Sequence, residues 1–245
     1  MGINNLINYL LEILSISKVD YDNHRDFYNN HFDEYQNDIY EDPKTRIVHL
    51  ENFWDDSLWF NKRYELLFRH YKEFDQIIEL GFSLPYLQLK ADDLGLNLEG
   101  KNFLLVDSYK SAIEVSDLVI DYLDVGNVNL VLADIQEDSG WDAINKLVIK
   151  DGSRLFVAVE TVEHLDRPDV FWDNLSKHSG DGVVISLPVG PAIPSHHLVM
   201  DSEKDALDYL SKYINVSESM TISPQAESGR GLDEYKVAIV FGTIK

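Results

Sequence analysis

The sequence has no cysteine, few basic residues and no long apolar run. The absence of cysteine excludes disulfides and zinc sites built on thiolates. No stretch is long and apolar enough to span a bilayer, so we expect no membrane association. The N-terminus lacks the charged start and apolar run of a signal peptide, and Leu6 breaks the myristoylation pattern. We therefore expect a soluble cytoplasmic protein.

Positive charge is also scarce. The chain has 21 Lys and Arg residues against 43 Asp and Glu residues, a formal net charge of −22 at pH 7. Such a surface repels phosphate backbones, and the basic residues are scattered among acids, so we expect no nucleic-acid substrate. The chain has 245 residues, of which 44% are hydrophobic, and this is enough for a sizeable core.

Apolar runs alternate with amphipathic segments between residues 76 and 187. The predicted strands are Gln76–Leu80, Asn102–Val106, Val128–Ala133, Arg154–Val159 and Val183–Leu187. The helices predicted after the second strand are Ser111–Asp124, Trp141–Ile149, Pro168–His178 and Ser202–Tyr213. This alternation predicts a parallel sheet that is covered on both faces. Two further strands, Val216–Ser223 and Lys236–Ile244, are joined by the polar loop Pro224–Gly231 and predict an antiparallel hairpin.

Residues 1–70 differ from the rest of the chain. Apolar residues at helical spacing predict an amphipathic first helix: Ile3, Leu6, Ile7, Leu10 and Leu14. This helix could pack on the main domain or form a homodimer with a second copy. The following segment is rich in Asp, Asn, Tyr and His and predicts a helical or irregular cover. A helix within Asn52–Tyr71 is then expected to lead into the first strand.

The stretch from Gln76 to Asp107 predicts a ligand site. It reads as strand, tight loop, helix and strand, with Pro85 in the first turn of the helix and Ser83 as its cap. Parallel strands carry ligands at their carboxyl ends, where free N–H groups suit an anion. Glu79, Gly81 and a second-strand acid, Asp107, indicate a nucleoside-containing cofactor. An ordinary glycine turn in a doubly wound domain is the alternative.

Four segments, taken in order, resemble motifs of the class I S-adenosylmethionine-dependent methyltransferases. They are IIELGFSLPYLQLKADDLG, LLVDSY, LVLADIQE and FVAVETVEHLDRPDVFWDNLSKHSGDGVVISLP. The resemblance covers residues 63–245 and implies a doubly wound α/β domain. Its mostly parallel seven-stranded sheet would end in an antiparallel hairpin, and residues 1–62 would form a helical N-terminal cover.

The same resemblance implies S-adenosylmethionine as the cofactor. The residues implied to bind it are Glu79, Gly81, Ser83, Asp107, Ser108, Asp134, Ile135 and Glu160. Asp107 would bind the ribose and, as an acid at a cleft, would contribute little to folding. Asp134 could equally serve the turn after its strand. Ser83 and Pro85 stand where the family has glycines, so the loop either binds in an altered way or binds weakly or not at all.

Three histidines follow strand ends on the ligand side, and we expect them to be catalytic: His164, His196 and His197. Histidine titrates near neutral pH and is a natural base for a methyl acceptor. His164 could instead orient its loop by bonding a backbone carbonyl, and the other two could make structural hydrogen bonds. No metal site is expected.

The histidines of the cover could bind a metal or line a substrate pocket. His24, His31 and His49 lack the tight helical spacing of a ligand motif, so a polar cover with aromatic anchors is the better interpretation.

Methyl transfer to the oxygen or nitrogen of a small molecule or peptide is the function these patterns predict. One alternative is a non-catalytic binding or scaffold protein that has lost the cofactor. Another is a methyltransferase that acts on a basic protein, which the negative surface would attract.

Overall fold

A single seven-stranded sheet organises the protein, in the order β3-β2-β1-β4-β5-β7-β6. The computed structural model describes residues 3–30, 40–55, 61–191, 195–223 and 236–245, without the side chains of residues 53–55 and 92. The strands are β1 (Gln76–Leu80), β2 (Asn102–Asp107), β3 (Val128–Leu132), β4 (Arg154–Ala158), β5 (Gly182–Val189), β6 (Ile214–Ile222) and β7 (Lys236–Ile244).

The pairing of the strands confirms the predicted mostly parallel sheet with a C-terminal antiparallel hairpin. The first five strands pair in parallel, β7 lies antiparallel between β5 and β6, and β6 forms the edge. Every residue of β1 and β5 is buried, because helices cover both faces. The predicted loop Pro224–Gly231 lies outside the described residues.

Nine α-helices are described. They are α1 (Ile3–Ile13), α2 (Lys18–Asn30), α3 (Pro43–Asp55), α4 (Glu65–His70), α5 (Tyr86–Leu94), α6 (Lys110–Leu123), α7 (Asp138–Asn145), α8 (Pro168–Leu175) and α9 (Glu203–Leu210). Helices α4, α5 and α6 bury side chains against one face of the sheet, and α7, α8 and α9 against the other. Among the described residues, no helix is long and apolar enough to cross a membrane.

Several predicted helices are shorter than expected. The helix expected to run to Ile149 ends at Asn145, because the Gln76 side chain bonds the backbone there: Nε2 donates to the Leu147 carbonyl at 3.0 Å and Oε1 accepts from the Ile149 N–H at 2.9 Å. After α8, the chain tightens into a 3-10 turn at Ser176–His178. Helix α9 begins after Ser202, whose hydroxyl caps the Asp205 N–H.

The N-terminal segment confirms the predicted helical cover. Helices α1, α2 and α3 form a further helical layer outside α5 and α6, and the buried side chains of these five helices make one hydrophobic cluster. In α1, Leu6, Ile7, Leu10 and Leu11 are buried within the chain itself. Of the predicted helix at 52–71, the described residues include the end of α3 and all of α4, and residues 56–60 lie outside them. The domain boundary at residues 62 and 63 and the homodimer stay predictions.

Replacing Leu10 with alanine tests the attachment of the cover. Leu10 is 0% exposed, so Leu10→Ala should lower the free energy of unfolding by about 2–5 kcal/mol. On the same helix Ile13 is 53% exposed, and Ile13→Ala should change it by no more than about 0.5 kcal/mol. Urea denaturation measures both values. Equal effects of the two substitutions would contradict the packing of α1 described above.

Candidate functional site

The carboxyl ends of the parallel strands bring most of the predicted site residues to one edge of the sheet. Glu79 is the fourth residue of β1, Asp107 is the last residue of β2, and Asp134 and Glu160 follow β3 and β4. Parallel pairing places Glu79 opposite Leu105 and Asp107 opposite Leu132, so the acids of adjoining strands lie near the same level. This is the edge at which open α/β sheets bind ligands.

Gly81 has a steric reason to be glycine. Its φ is +72°, and a Cβ atom there would lie 2.5 Å from the Cγ2 atom of Thr161. The Thr161 hydroxyl also donates a hydrogen bond to the Leu80 carbonyl at 3.0 Å. The end of β1 is therefore held closely against the segment that follows β4, and only glycine fits the contact.

Glu79 is a buried acid without a visible donor. Glu79 is 2% exposed, and neither of its carboxylate oxygens has a hydrogen-bond partner among the described residues. Burial raises the pKa of Glu79 to about 8, because the charged form is poorly solvated there. A buried acceptor of this kind is normally satisfied by a donor, which a bound ligand could supply.

Asp107 is more deeply embedded than the sequence predicted. It is 6% exposed, and its two oxygens accept hydrogen bonds from the backbone N–H groups of Ser83 at 3.0 Å and Tyr109 at 2.9 Å. Burial raises its pKa, while Arg46 and these N–H groups act in the opposite direction. The expectation that Asp107 contributes little to folding is therefore wrong, since it ties the loops after β1 and β2 together.

Arg46 of α3 is the site residue that sequence analysis missed. It is 2% exposed, and its guanidinium donates to the Ser83 hydroxyl at 2.6 Å and the Ser111 hydroxyl at 3.2 Å. The guanidinium carbon lies 5.1 Å from the centre of the Tyr109 ring, within the range of cation–π attraction. The only available sequence signal was a basic residue at the end of a strongly acidic segment.

Ser83 therefore has a different role from the predicted helix cap. Its φ is +55°, its N–H donates to Asp107, and its hydroxyl accepts from Arg46. Helix α5 begins three residues later, at Tyr86. Ser83 links the cover to the acid at the end of β2.

The remaining predicted cofactor residues lie along the same edge. The Asp134 carboxylate accepts from the Gln136 N–H at 2.8 Å, which is the turn contact that sequence analysis weighed as an alternative. Ile135 is buried, and its carbonyl accepts from the indole N–H of Trp141 at 2.9 Å. Ser108 is exposed beside Asp107. Glu160 pairs with Arg63 at 3.4 Å.

Two of the three candidate catalytic histidines are brought together. The rings of His164 and His196 have centroids 4.9 Å apart and meet edge to face. The Nδ1 atom of His164 lies 2.8 Å from the Ser195 carbonyl oxygen, so the structure shows the loop-orienting hydrogen bond that sequence analysis considered. His197 is directed elsewhere: its side chain is 53% exposed, with Nε2 3.3 Å from Asp166 Oδ1.

The histidines of the N-terminal cover bond within the cover. His24 Nε2 lies 2.9 Å from the Thr45 hydroxyl, and His49 Nε2 lies 2.7 Å from the Tyr28 hydroxyl. His31 lies outside the described residues. The two that are described hold α2 against α3.

Comparisons with known proteins identify the fold. An O-methyltransferase from a trans-AT PKS multienzyme of Brevibacillus brevis, in complex with S-adenosyl-L-homocysteine, matches with a TM-score of 0.52. The match has 9% sequence identity and covers 71% of this chain and 68% of that one. The StiE O-MT domain matches with a TM-score of 0.50 and 11% identity, over 75% of this chain and 74% of that one.

The chain has the class I methyltransferase fold. At these identities the likeness extends to the fold alone. No protein-family profile matches the sequence, and a comparison with curated proteins gives no match. This finding confirms the fold that the resemblance of the four motifs implied.

The chain's own residues fit an adenosyl cofactor in their chemistry. Glu79 is an acceptor without a donor among the described residues, and each Asp107 oxygen can accept a further hydrogen bond beyond its N–H partner. The Ser83 N–H donates to Asp107 and Arg46 holds the Ser83 hydroxyl, so a ligand that reached Asp107 would have to share it with the Ser83 N–H.

The raised pKa of Glu79 predicts a pH-dependent stability. The unfolded chain releases this proton near the ordinary value of 4.5 and the folded chain near about 8, so the folded state binds more protons between them. The free energy of unfolding should fall as the pH rises through that window, by about 1.4 kcal/mol per unit of pKa difference. Glu79→Gln should make the fall smaller.

Urea denaturation at pH 5 and pH 8 measures this difference. The matched control is Glu114→Gln, which removes an exposed acid from α6 and should leave the pH dependence of the parent protein unchanged. If Glu79→Gln and the parent lose the same stability between the two pH values, Glu79 is not buried in its neutral form.

Proposed function

We propose that the protein transfers a methyl group from S-adenosylmethionine to an oxygen or nitrogen atom of a small molecule or peptide. The observation that carries this proposal is the set of acids at adjoining strand ends of a class I methyltransferase fold: Glu79, Asp107 and Asp134. The net charge of −22 makes a nucleic acid the less suitable acceptor.

Each acid has a distinct part in holding the cofactor. Asp107 would accept hydrogen bonds from the ribose hydroxyls. Asp134 and Ile135 would lie beside the adenine base, and Glu79 would accept a hydrogen bond from a donor group of the cofactor. When bound, S-adenosylmethionine supplies an electrophilic methyl group. The work of the protein is then to align an acceptor atom with that group and to keep water away.

His164 and His196 would act on the methyl acceptor. A carbonyl oxygen only accepts hydrogen bonds, so His164 carries its proton on Nδ1 and its lone pair on Nε2. Burial and the neighbouring His164 lower the pKa of His196 to about 3, so its ring is neutral at physiological pH and binds a proton weakly. His164 would offer its Nε2 lone pair as a base, and His196 is suited to contacts through its lone pair.

A non-catalytic binding protein is the second candidate, and Arg46 favours it. The Arg46 side chain and the Ser83 N–H already engage the loop and acid that would hold the ribose. Ser83 and Pro85 also put side chains where the family has glycines. In that case the cover would have replaced the cofactor as the partner of Asp107.

Calorimetric titration with S-adenosylhomocysteine separates the two candidates. The parent protein should bind it, and Asp107→Asn should bind about tenfold to a thousandfold more weakly, because up to two charge-assisted hydrogen bonds of about 1.5–3 kcal/mol each are impaired. Asparagine keeps the shape of the buried side chain, and melting curves check that the variant is folded.

Asp117→Asn is the matched control, since Asp117 is an exposed acid on α6. Its affinity should equal that of the parent. No heat and no thermal shift with the parent protein would refute methyl transfer and favour the non-catalytic protein. A folded Asp107→Asn variant with the parent's affinity would refute the ribose assignment alone.

A further inference from the structure

Three side chains with metal-ligating atoms converge beyond the end of β4. Glu163 and His164 belong to the 3-10 turn Val162–His164, and His196 lies in the segment that follows β5. One ligand atom from each of the three residues lies within 4.8 Å of the other two. Two imidazoles and a carboxylate at this spacing can converge on one ion.

Glu163 is the second and independent indication of a ligand. The residue is 0% exposed, and neither carboxylate oxygen has a hydrogen-bond partner among the described residues. Burial, and after it the nearby Glu160 carboxylate, raise the pKa of Glu163, while the backbone N–H groups of Glu163 and Thr161 and the Arg63 guanidinium act in the opposite direction. Buried carboxylates are usually hydrogen-bonded, paired with a cation or bound to a metal ion, and a dication would satisfy both the charge and the oxygens of Glu163.

His164 is held in the orientation of a metal ligand. Its Nδ1–H donates to the Ser195 carbonyl at 2.8 Å, which leaves the lone pair on Nε2. Metal-binding histidines commonly donate their other ring N–H to a carbonyl or carboxylate in this way. The ring is also solvent exposed, which gives an ion a route to the cluster.

The backbone fixes the two halves of the cluster to each other. The Glu163 carbonyl accepts from the N–H groups of His197 at 2.7 Å and Leu198 at 3.3 Å. These bonds hold the segment that carries His196 against the turn that carries Glu163 and His164. The three side chains are thus positioned by the fold before any ion binds.

We propose that Glu163, His164 and His196 form a binding site for a divalent transition-metal ion. Two imidazoles and one carboxylate are a ligand set that suits zinc, iron and related ions, and three protein ligands leave open positions for water or another oxygen ligand. The sequence predicted no metal site, because the histidines of the cover lack the helical spacing of a ligand motif. Here the ligands come from two segments that the sheet brings together.

Binding of a metal ion at this site does not require that the protein transfers methyl groups. If it does transfer them, a bound ion could take part in the reaction. The cluster lies beside Glu160 at the carboxyl edge, and an acceptor hydroxyl bound to the ion would lose its proton more readily. His164 and His196 would then act as ligands, and the ion would replace them in activating the acceptor. That extension rests on the proposed function, whereas occupancy of the site by an ion does not.

The test is a titration of chelator-treated, dialysed full-length protein with Co²⁺, followed by its visible absorption, and with Zn²⁺ as competitor. One equivalent should bind to the parent. Glu163→Gln and His196→Ala should each weaken binding by more than about 100-fold, since even loss of an outer partner of a ligand costs about 10–100-fold. X-ray absorption of the Co²⁺-loaded parent should show imidazole ligands and needs no variant.

His197→Ala is the matched control, because this histidine lies in the same segment but is directed toward Asp166. It should bind Co²⁺ with the parent's affinity. Absence of one-to-one binding, a spectrum without imidazole ligands, or folded Glu163→Gln and His196→Ala variants with undiminished affinity would overturn the site. The S-adenosylhomocysteine titration is read separately, so failure of methyl transfer and failure of the metal site are distinguishable.

Discussion

The parallel hydrogen bonding of β1, β2, β3, β4 and β5 is the constraint on which the rest of the structure depends. Parallel strands end at the same edge, so residues that are tens of positions apart in the chain meet there. The helices on both faces keep the strands dry and rigid. The polar groups that are buried at the strand ends must therefore find partners within a small region.

The burial of acidic side chains is the dominant problem at that edge. Glu79, Asp107 and Glu163 are all at most 6% exposed in a chain that is already strongly acidic. The protein solves the problem differently at each position. Asp107 receives backbone N–H groups and a nearby arginine, whereas Glu79 and Glu163 have no hydrogen-bond partner within the described residues. The two acids without partners are where ligands are expected, one for a cofactor donor and one for a cation.

The N-terminal cover adds a further layer of helices and also contributes to this edge of the sheet. Arg46 reaches from α3 to Ser83 and Ser111 and lies against the ring of Tyr109. A single buried side chain thereby couples the packing of the cover to the loop that would hold a cofactor. The position of the loop after β1 thus depends on how α3 packs, which links the cover to the edge where a cofactor is proposed to bind.

From β1 onward, the sequence alone determined the order and type of the elements, because apolar runs such as Ile77–Leu80 and Phe103–Val106 have the period and length of buried strands. It also located Glu79, Asp107, Asp134 and the histidines near strand ends, since local pattern marks where a strand stops. It could not show that Asp107 is buried against the Ser83 N–H or that Arg46 donates to the Ser83 hydroxyl. Nor could it show that His196 lies close to Glu163 and His164. Those contacts join residues 24 or more positions apart, and only the pairing of strands and the docking of the cover bring them within reach.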